Sequence, residues 1–410
     1  MIHLTLLALA LAQAPASDSA LRAELRANRH PLALGEASLQ LSGSGGDLLV
    51  AEGKAAQFFL VGEEHGVAEI PLLTAALVRA LAPAGYGRLG IEIGWALADT
   101  VNTLVAGPGG EARLAAFSGR HRPGVPFYHL RGEARLLAVA VEAMGGGRDV
   151  LWGLDYDIIA DRWWLARLRD LAPTPAARAA ATRAIAMTDS LLAAALDQKN
   201  PGLIQMFGGS DSLFRALREA YRPAPGSDVD RMLAFMSETL AINRLFMTGE
   251  GYESNDRRGR LMKTELARYL ATVPGDTLPR AIFKFGASHM MRGRTYTNIF
   301  DVGGTLSELA ELRGHRSFHL LVMGGAGSDH AQIDPTTFTY RPVPTELSNQ
   351  QHALAPMVAE ALPDGWTLFD LRPLRRRLAQ LTRHPRLTQV IFGFDALAIL
   401  TGSRPATPSR

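Results

Sequence analysis

Short apolar segments alternate with amphipathic segments over most of this chain, and that alternation constrains its fold more than any other feature. The strand predictions cover residues 58–63, 88–94, 149–156, 281–287, 318–323, 367–371 and 390–400. The helix predictions lie between them, at about 69–82, 132–144, 160–171, 354–362 and 373–382. Strands that alternate with helices are typical of a sheet flanked by helices, so the sequence predicts an α/β fold.

The middle of the chain lacks this alternation. From about residue 175 to 272 only helical periodicity is present, broken at Asn200-Pro201-Gly202 and at Pro223-Ala224-Pro225-Gly226. We expect residues 175–272 to be a helical insertion that forms a wall or lid over the carboxyl ends of the strands. It would separate a first part of the α/β core, residues 54–174, from a second part, residues 273–410.

The N-terminal region has two features of its own. Residues 1–16 resemble a secretory signal peptide, with a short apolar run and Ala-Leu-Ala or Ala-Gln-Ala as cleavage sites. The start of this run has no Lys or Arg, only His3, and a buried N-terminal helix is the alternative. With export, the mature protein is periplasmic or secreted. Residues 17–53, a charged helix followed by a stretch rich in Gly and Ser, are predicted to be an irregular lead-in.

Composition excludes several classes of function. Apolar residues make up 47% of the chain and charged residues 20%, close to the averages of globular domains. The 43 basic and 40 acidic residues nearly cancel, which argues against nucleic-acid or membrane-surface binding as the main role. No segment after the N-terminus is long and apolar enough to predict a membrane span, so no stable membrane insertion is expected. The chain has no cysteine, so disulfides and thiolate nucleophiles are excluded, and any metal needs His, Asp or Glu ligands.

A cluster of polar side chains follows the first predicted strand. Gly62-Glu63-Glu64-His65 places two carboxylates and an imidazole where the apolar segment 58–63 ends. Open α/β sheets bind ligands at the carboxyl ends of their strands, and a carboxylate there can orient an imidazole or take up a proton. A solvated turn is the alternative, because charged residues are common at strand ends. We predict Glu63, Glu64 and His65 as catalytic residues.

Acids also occur at the next two strands. Glu92 lies within the apolar segment 88–94, where a carboxylate is costly unless it is paired or bound to a ligand. We predict Glu92 as catalytic, with a structural ion pair to a buried arginine as the alternative. Asp155 ends the third predicted strand and is predicted to bind substrate, whereas Asp157 is more typical of a helix cap.

A second histidine follows another strand in the same way as the first. Both strand segments end in Gly-x-x-His, at Gly62 to His65 and at Gly286 to His289, so we predict His289 as a catalytic partner of His65. Arg257, near the start of a helix, is predicted to aim its guanidinium at a substrate carboxylate or oxyanion, with surface charge as the alternative. His129 and His330, in loops after glycine-containing segments, are predicted to bind substrate.

These residue types suit the activation of water. The chain has no Gly-x-Ser-x-Gly nucleophile motif, and the lack of cysteine also argues against a covalent acyl-enzyme. Histidines and carboxylates around a pocket can activate water directly or through a metal ion.

Six segments in a fixed order resemble a known family, the erythromycin esterase-like hydrolases, which are similar to the wider Tiki/TraB/ChaN group. The resemblance covers roughly residues 55 to 408. The segments are Gly62-Glu63-Glu64-His65-Gly66, Gly90-Ile91-Glu92, Gly153-Leu154-Asp155, Asn255-Asp256-Arg257, Phe285-Gly286-Ala287-Ser288-His289, and the ending that contains Phe394-Asp395 and Arg404-Pro405.

The resemblance implies a fold and a set of roles. The fold would be a mixed, largely parallel sheet flanked by helices, with a deep cleft. His65 would act as a general base on water, helped by Glu63 and Glu92, and His289 would hold substrate or stabilise charge. In the Tiki-like branch, the same residue types would instead bind a divalent metal, here through His65, Glu92 and His289.

This chain departs from the esterase pattern at two places. It has one residue fewer between the first glycine and His65, which leaves open whether Glu63 or Glu64 is the key carboxylate, and it keeps one histidine in the segment that ends at His289. Both departures are similar to the Tiki/ChaN pattern. We expect an exported hydrolase of an ester, lactone or amide bond in a small molecule or peptide. The alternatives are a haem- or metal-binding protein of the ChaN type, and a non-catalytic member whose Glu92 is locked in an arginine pair.

Overall fold

The computed structural model describes residues 18–121, 125, 127–147, 149–275, 277–345, 349–378, 382 and 384–409, with 349–352 described by their backbone alone. The predicted signal peptide, residues 1–16, lies outside the described residues.

A mixed sheet of nine strands forms the centre of the described structure. The strands are, in chain order, β1 (Arg29–Gly35), β2 (Gln40–Ser42), β3 (Phe58–Glu63), β4 (Tyr86–Ile91), β5 (Leu151–Gly153), β6 (Arg280–Gly286), β7 (Ser317–Gly324), β8 (Asp329–Asp334), β9 (Thr339–Pro344), β10 (Gly365–Asp370) and β11 (Ala396–Thr401). The sheet order is β2-β1-β10-β11-β7-β3-β6-β4-β5, and β8 pairs with β9 in a separate hairpin. Strands β11 to β5 in this order run parallel, and the pairs on the other side of β11 are antiparallel. The predicted α/β class with a mixed, largely parallel sheet is confirmed.

Helices flank this sheet. They are α1 (Asp18–Ala27), α2 (Gly43–Ala55), α3 (Ile70–Leu81), α4 (Trp95–Val105), α5 (Gly110–Arg120), α6 (Arg131–Ala143), α7 (Asp161–Asp170), α8 (Pro175–Asp197), α9 (Gln205–Gly208), α10 (Ser212–Tyr221), α11 (Asp228–Met247), α12 (Gly251–Ala271), α13 (Val302–Leu312), α14 (Asn349–Glu360) and α15 (Pro385–Gly393). Short 3₁₀ helices cover Ala82–Ala84, Pro201–Leu203, Ala287–Met290 and Pro373–Arg377.

The central strands are buried on both faces. All residues of β3 are buried. Phe59 and Val61 belong to one core cluster, and Phe58 and Leu60 belong to the other. Successive side chains of a strand point to opposite faces, so a strand covered on both sides reads as a continuous apolar run. This explains why β3 has the same bounds as the strand predicted from the sequence.

The charged helix expected near the N-terminus is present as α1, but the irregular structure expected for the rest of residues 17–53 is wrong. This region forms α1, β1, β2 and α2, and β1 pairs with β10 in the main sheet from Arg29↔Phe369 to Leu32↔Trp366. The glycines that suggested irregular structure allow α2 to pack closely on β1. A Cβ atom at Gly45 would lie 3.0 Å from the Cβ atom of Leu32. Small residues at a close helix–strand contact, and not disorder, account for this composition.

Two other element predictions are corrected near the C-terminus, and one hairpin was not predicted. The predicted strand 390–400 is the end of helix α15 followed by β11, because Pro385 at the first turn and the cap of His384 on Leu387 start a helix there. The predicted helix 373–382 is, in its described part, the 3₁₀ helix Pro373–Arg377. The hairpin of β8 and β9 was not predicted, because its exposed strands lack an apolar run.

Helices alone form the described part of residues 175–271, from α8 to α12. Among the described residues, α8 is the one helix whose length and composition would allow it to cross a membrane, contrary to the expectation that no segment after the N-terminus qualifies. Ala177, Ala181 and Ala184 of α8 are buried in the main core, and α8 packs against α7. These contacts are those of a helix packed within a folded domain.

The parallel strands bring the candidate residues to one edge of the sheet. Glu63 at the end of β3 is in register with Gly286 at the end of β6, and Ile91 at the end of β4 is in register with Lys284 of β6 and with Gly153 of β5. The residues that follow these strands therefore meet at a common edge, as expected for the carboxyl ends of parallel strands.

Candidate active site

His65 leaves β3 in a sharp turn that fixes its side chain. Gly66 follows it with a φ of 85°, and a Cβ atom there would lie 2.1 Å from the carbonyl oxygen of Ala331. The Nδ1 atom of His65 is 2.8 Å from Oε1 of Glu63, and the imidazole stacks on the ring of Phe127 with the centroids 4.3 Å apart. The His65 side chain is 30% exposed, so it is both oriented by its partners and accessible to solvent.

Glu92 lies at the centre of the site. Its Oε2 atom accepts a hydrogen bond from the backbone N–H of Gly286 at 2.7 Å and is 3.5 Å from Nε2 of His65. Its Oε1 atom is 3.6 Å from Nε2 of His289. The backbone N–H of Glu92 donates to the hydroxyl of Tyr128 at 3.0 Å, so hydrogen bonds fix both the backbone and the side chain of Glu92.

His289 repeats the arrangement of His65. It lies in the 3₁₀ helix that follows β6, and its Nδ1 atom is 2.7 Å from Oδ2 of Asp301. Asp301 caps α13 by accepting a hydrogen bond from the N–H of Val302 through its other oxygen. Each histidine therefore has a carboxylate on Nδ1, and both direct Nε2 at Glu92. The sequence prediction that the two Gly-x-x-His strand ends share one site agrees with this geometry.

The arginine of the site is Arg258 and not the predicted Arg257. The Nη2 atom of Arg258 donates to Oε1 of Glu92 at 2.7 Å, and its Nε atom donates to Asp155 at 2.9 Å. Arg257 points to the surface and pairs with Glu238 at 2.6 Å. Both arginines lie on α12, where neighbouring positions are rotated by about 100° around the helix axis, so a one-residue error exchanges the buried face for the exposed one.

Asp155 and Glu92 are thus joined by one guanidinium, and the ion-pair alternative for Glu92 is part of the observed structure. Asp157 lies outside this pair: it accepts hydrogen bonds from the N–H of Gly94 and from the indole of Trp164. Its role is to hold the segment after β4 against α7.

Besides Arg258, three charged residues of the site were missed in the sequence: Lys284, Glu133 and Asp301. Lys284 is 1% exposed and its Nζ atom lies 2.7 Å from Oε1 of Glu63 and 2.6 Å from Oε1 of Glu133 on α6. A lysine inside the apolar strand segment 281–286 was a detectable signal, of the same kind that singled out Glu92. Glu133 had no such signal, because an acid in an amphipathic helix is usually exposed.

Electrostatics favour protonation of both histidines. Burial opposes the charged form of His65, but Glu92 and Glu63 outweigh it and raise its pKa. Burial and Arg258 likewise oppose the charged form of His289, whereas Asp301 and Glu92 raise its pKa. Burial would raise the pKa of Glu92, but the two histidines and Arg258 hold it below its ordinary value.

Glu63 and Glu64 have different roles. Burial disfavours ionised Glu63, but Lys284 and His65 keep its pKa below the ordinary value. Glu64 turns away from His65: its Oε2 atom accepts from the N–H of Gly324 at 3.1 Å, and burial raises its pKa to about 7. The carboxylate that contacts His65 is therefore Glu63. His330 lies 3.9 Å from Glu64 and belongs to this side of the site.

His129 lies behind the site, next to a cavity. Its Nδ1 atom is 2.6 Å from the carbonyl oxygen of Val125, and its ring is near that of Tyr340. Both rings line a cavity of about 460 Å³ between α5, α8, the β8–β9 hairpin and the C-terminal residues. Phe127 lies between this cavity and His65, because its ring stacks on His65 and its N–H donates to the hydroxyl of Tyr340.

The side chains of this site do not fit the divalent metal ion that the Tiki-like resemblance implies. Its ligands would be His65, Glu92 and His289, yet both oxygens of Glu92 already accept from Gly286 and Arg258. Among the described residues, no group of three or more His, Asp and Glu side chains is placed to hold a metal ion. The fixed cations Arg258 and Lys284 stand beside the carboxylates where a divalent ion would compete with them.

Three solved structures share this fold. A Bacillus cereus protein of known crystal structure matches at a TM-score of 0.57 and 13% identity over 97% of this chain and 100% of its own. The erythromycin esterase EreC, solved as a histidine-to-asparagine variant in its open conformation, matches at 0.52 and 18% identity over 89% of this chain and 94% of its own. A succinoglycan biosynthesis protein matches at 0.56 and 12% identity over 95% of this chain and 98% of its own.

Sequence comparison adds nothing to these matches: no protein-family model matches the chain, and no curated protein matches it. The structural matches span nearly all of both chains, and they establish an erythromycin esterase-like fold, as the sequence motifs had indicated.

Proposed function

We propose that this chain is a hydrolase that cleaves an ester, lactone or amide bond with a water molecule activated by His65. The observation that carries the proposal is the pair of imidazole–carboxylate contacts, His65 with Glu63 and His289 with Asp301, whose Nε2 atoms both face Glu92. Of the two histidines, His65 is the more exposed, which supports His65 as the one that contacts water and substrate.

In the proposed reaction, His65 is the general base in its neutral form, which is populated above its raised pKa. Glu63 accepts the hydrogen bond from Nδ1–H, so Nε2 carries the lone pair that removes a proton from water. The hydroxide adds to the carbonyl carbon of the substrate and forms a tetrahedral intermediate. The intermediate then collapses, and the leaving alcohol or amine takes the proton back from Nε2 of His65.

His289 stabilises the oxyanion of this intermediate in the proposal. Its raised pKa favours the imidazolium form, which donates a hydrogen bond from Nε2 towards developing negative charge. Glu92 is paired with Arg258 and has a depressed pKa, so it acts as a fixed negative charge between the histidines and not as a proton acceptor. A proton acceptor needs a pKa nearer to the working pH.

The fold supports a hydrolase, because one of the solved structures that share it is described as an esterase. The substrate is proposed to be a small molecule or a peptide, and macrolides are one candidate class among others. Export to the periplasm or the medium, expected from residues 1–16, also stays a proposal. N-terminal sequencing of the protein from cell fractions tests it, and a chain in the cytoplasm that retains Met1 would refute it.

Substitution of His65 tests the proposed reaction. We expect His65→Asn to lower kcat/KM by roughly 10² to 10⁴-fold on any ester, lactone or amide that the native protein cleaves, since that is the usual contribution of a general base. His315→Asn is the matched control, because His315 is exposed and lies in the turn between α13 and β7, at the opposite end of that strand from the site.

Three outcomes would argue against the proposal. Full activity of His65→Asn across a broad panel of substrates would exclude His65 as the base. A purified native protein with tightly bound haem or metal and no hydrolysis would favour the binding-protein alternative. A folded native protein without either property would favour the non-catalytic alternative, in which the Glu92–Arg258 pair is purely structural.

A further inference from the structure

Lys284 is a buried cation in the middle of the central sheet. It lies in β6, between two strands of the parallel part of the sheet, and its side chain is 1% exposed. Removal of an ammonium group from water is costly unless carboxylates compensate for it. Two carboxylates do so here, Glu63 from β3 and Glu133 from α6. The reaction proposed above assigns no role to Lys284 or Glu133.

A continuous chain of contacts joins Glu133, Lys284, Glu63 and His65, and it ends at His65, the proposed base. Nζ of Lys284 is 2.6 Å from Oε1 of Glu133 and 2.7 Å from Oε1 of Glu63. The same oxygen of Glu63 is 2.8 Å from Nδ1 of His65. Oε1 of Glu63 therefore accepts from the ammonium and the imidazole together, and the position of Lys284 sets where this oxygen can lie.

His65 has two carboxylates that compete for its proton. Nδ1 faces Glu63 at 2.8 Å, and Nε2 faces Glu92 at 3.5 Å. Neutral imidazole carries one N–H, and the hydrogen bond of one nitrogen decides which nitrogen remains basic. If Glu63 moved away or took up a proton, the imidazole proton would move to Nε2, next to Glu92. His65 would then present no lone pair to water.

We propose that Lys284, bridged by Glu133, is a positioning residue for His65: it holds Glu63 ionised and in place, so that Nδ1 keeps the proton and Nε2 stays the basic nitrogen. This inference rests on the proposed function for its consequence in catalysis, but the tautomer of His65 is a property of the resting protein. It can be measured whether or not a substrate is known.

Glu133 completes the device by sharing the charge of Lys284. With Glu63 alone, the ammonium would be drawn fully to one carboxylate and would compete with the imidazole for its oxygen. Among the residues that the structure describes, the buried Oε2 atom of Glu133 has no hydrogen-bond partner, and burial, opposed by Lys284, raises the pKa of Glu133 to about 7. Glu133 is linked to the site through the contact of its Oε1 atom with Lys284.

Nitrogen NMR of histidine-labelled protein tests the proposal, with the His65 signal identified by its loss in His65→Gln. Above the pKa of His65, the native protein is expected to show the Nδ1–H tautomer. Lys284→Met is expected to convert most of this signal to the Nε2–H tautomer, and Lys284→Arg is expected to retain the native tautomer. On a hydrolysed substrate, Lys284→Met is expected to lose roughly 10² to 10⁴ in kcat/KM, with recovery in Lys284→Arg.

A purely structural role for Lys284 gives a different result. A folded Lys284→Met protein that keeps the Nδ1–H tautomer would overturn the proposal, even with lower stability. If Lys284→Met does not fold, Glu133→Gln decides, because it leaves the Lys284–Glu63 contact intact. We expect it to convert part of the His65 signal to the Nε2–H tautomer, since the undivided charge of Lys284 then competes with the imidazole for Oε1 of Glu63. A His65 tautomer that is unchanged in that variant would overturn the proposal. The native tautomer without any hydrolysis would refute only the proposed function.

Discussion

Replacement of Arg258 by methionine gives the sharpest test of how this site is held together. The side chains of Arg258, Glu92 and Asp155 are 19%, 6% and 3% exposed, so the substitution leaves two buried carboxylates without their shared cation. Loss of one partner of a buried ion pair costs about 3–5 kcal/mol. That range corresponds to roughly a 150- to 5000-fold change in the unfolding equilibrium constant.

Arg257→Met is the matched control for this substitution. The two residues are neighbours on α12 and have the same side chain, but Arg257 and its partner Glu238 are 46% and 31% exposed. Surface ion pairs contribute about 0–1 kcal/mol, because water and side-chain entropy offset their attraction. The comparison therefore cancels helix propensity and the size of the side chain, and leaves burial as the difference.

The assay is urea unfolding followed by tryptophan fluorescence at pH 7 and at pH 5. At pH 7 we expect Arg258→Met to lose about 3–5 kcal/mol and Arg257→Met less than about 1 kcal/mol. Burial without a cation raises the pKa of Glu92 and Asp155 in the folded variant above the unfolded value, so stability is regained as the pH falls and the carboxylates bind protons. Equal losses in the two variants, or a deficit of Arg258→Met that grows at pH 5, would refute this account of the site.

Three further predictions follow from the same geometry. Glu63→Gln is expected to lower kcat/KM roughly 10²-fold or more, whereas Glu64→Gln, which keeps an acceptor for the N–H of Gly324, should change it less than about tenfold. Equal losses in the two variants would contradict the assignment of Glu63 as the partner of His65. The free energy of unfolding is expected to fall between pH 5 and pH 8, because burial raises the pKa of Glu64 and of Asp157 in the folded protein to about 7. A carboxyl group with a raised folded pKa loses its contribution to stability as the pH rises through that value, so a flat or rising urea midpoint would oppose this prediction. Dialysis against a chelator is expected to leave turnover and Tm unchanged, since Arg258 and Lys284 already neutralise the carboxylates, and activity that is lost and then restored by a divalent ion would show that the metal alternative is correct.

Residues that interrupt a strong local pattern could be identified from the sequence. Glu63, His65 and His289 come directly after apolar strand segments, and the strand bounds predicted for β3 agree with the structure. Glu92 was visible as a carboxylate in an apolar segment. A parallel sheet then places such residues at one edge without further information. Lys284 has the same kind of signal, because it is a cation inside the apolar segment that forms β6.

Other members of the site have no local signal. Glu133 lies in an ordinary amphipathic helix and Asp301 is an ordinary helix cap. Their roles depend on contacts with residues more than ten positions away: Glu133 with Lys284, and Asp301 with His289. The choice between Arg257 and Arg258 depends on the rotation of α12 about its axis. That rotation is set by packing across the whole helix, and a short motif does not contain it.

The alternation of apolar strands and amphipathic helices therefore specified the α/β class, and the two Gly-x-x-His strand ends specified the edge of the sheet where the candidate site lies. The sequence pattern was sufficient for this because a strand that is buried on both faces has a continuous apolar run, and the residues that follow parallel strands lie at the same edge of the sheet. The partners of His65, the choice of Glu63 over Glu64, and the fixed cations Arg258 and Lys284 were settled by tertiary packing. Electrostatic interactions act through space between elements far apart in the chain, so the charge balance of the site exists only once those elements have come together.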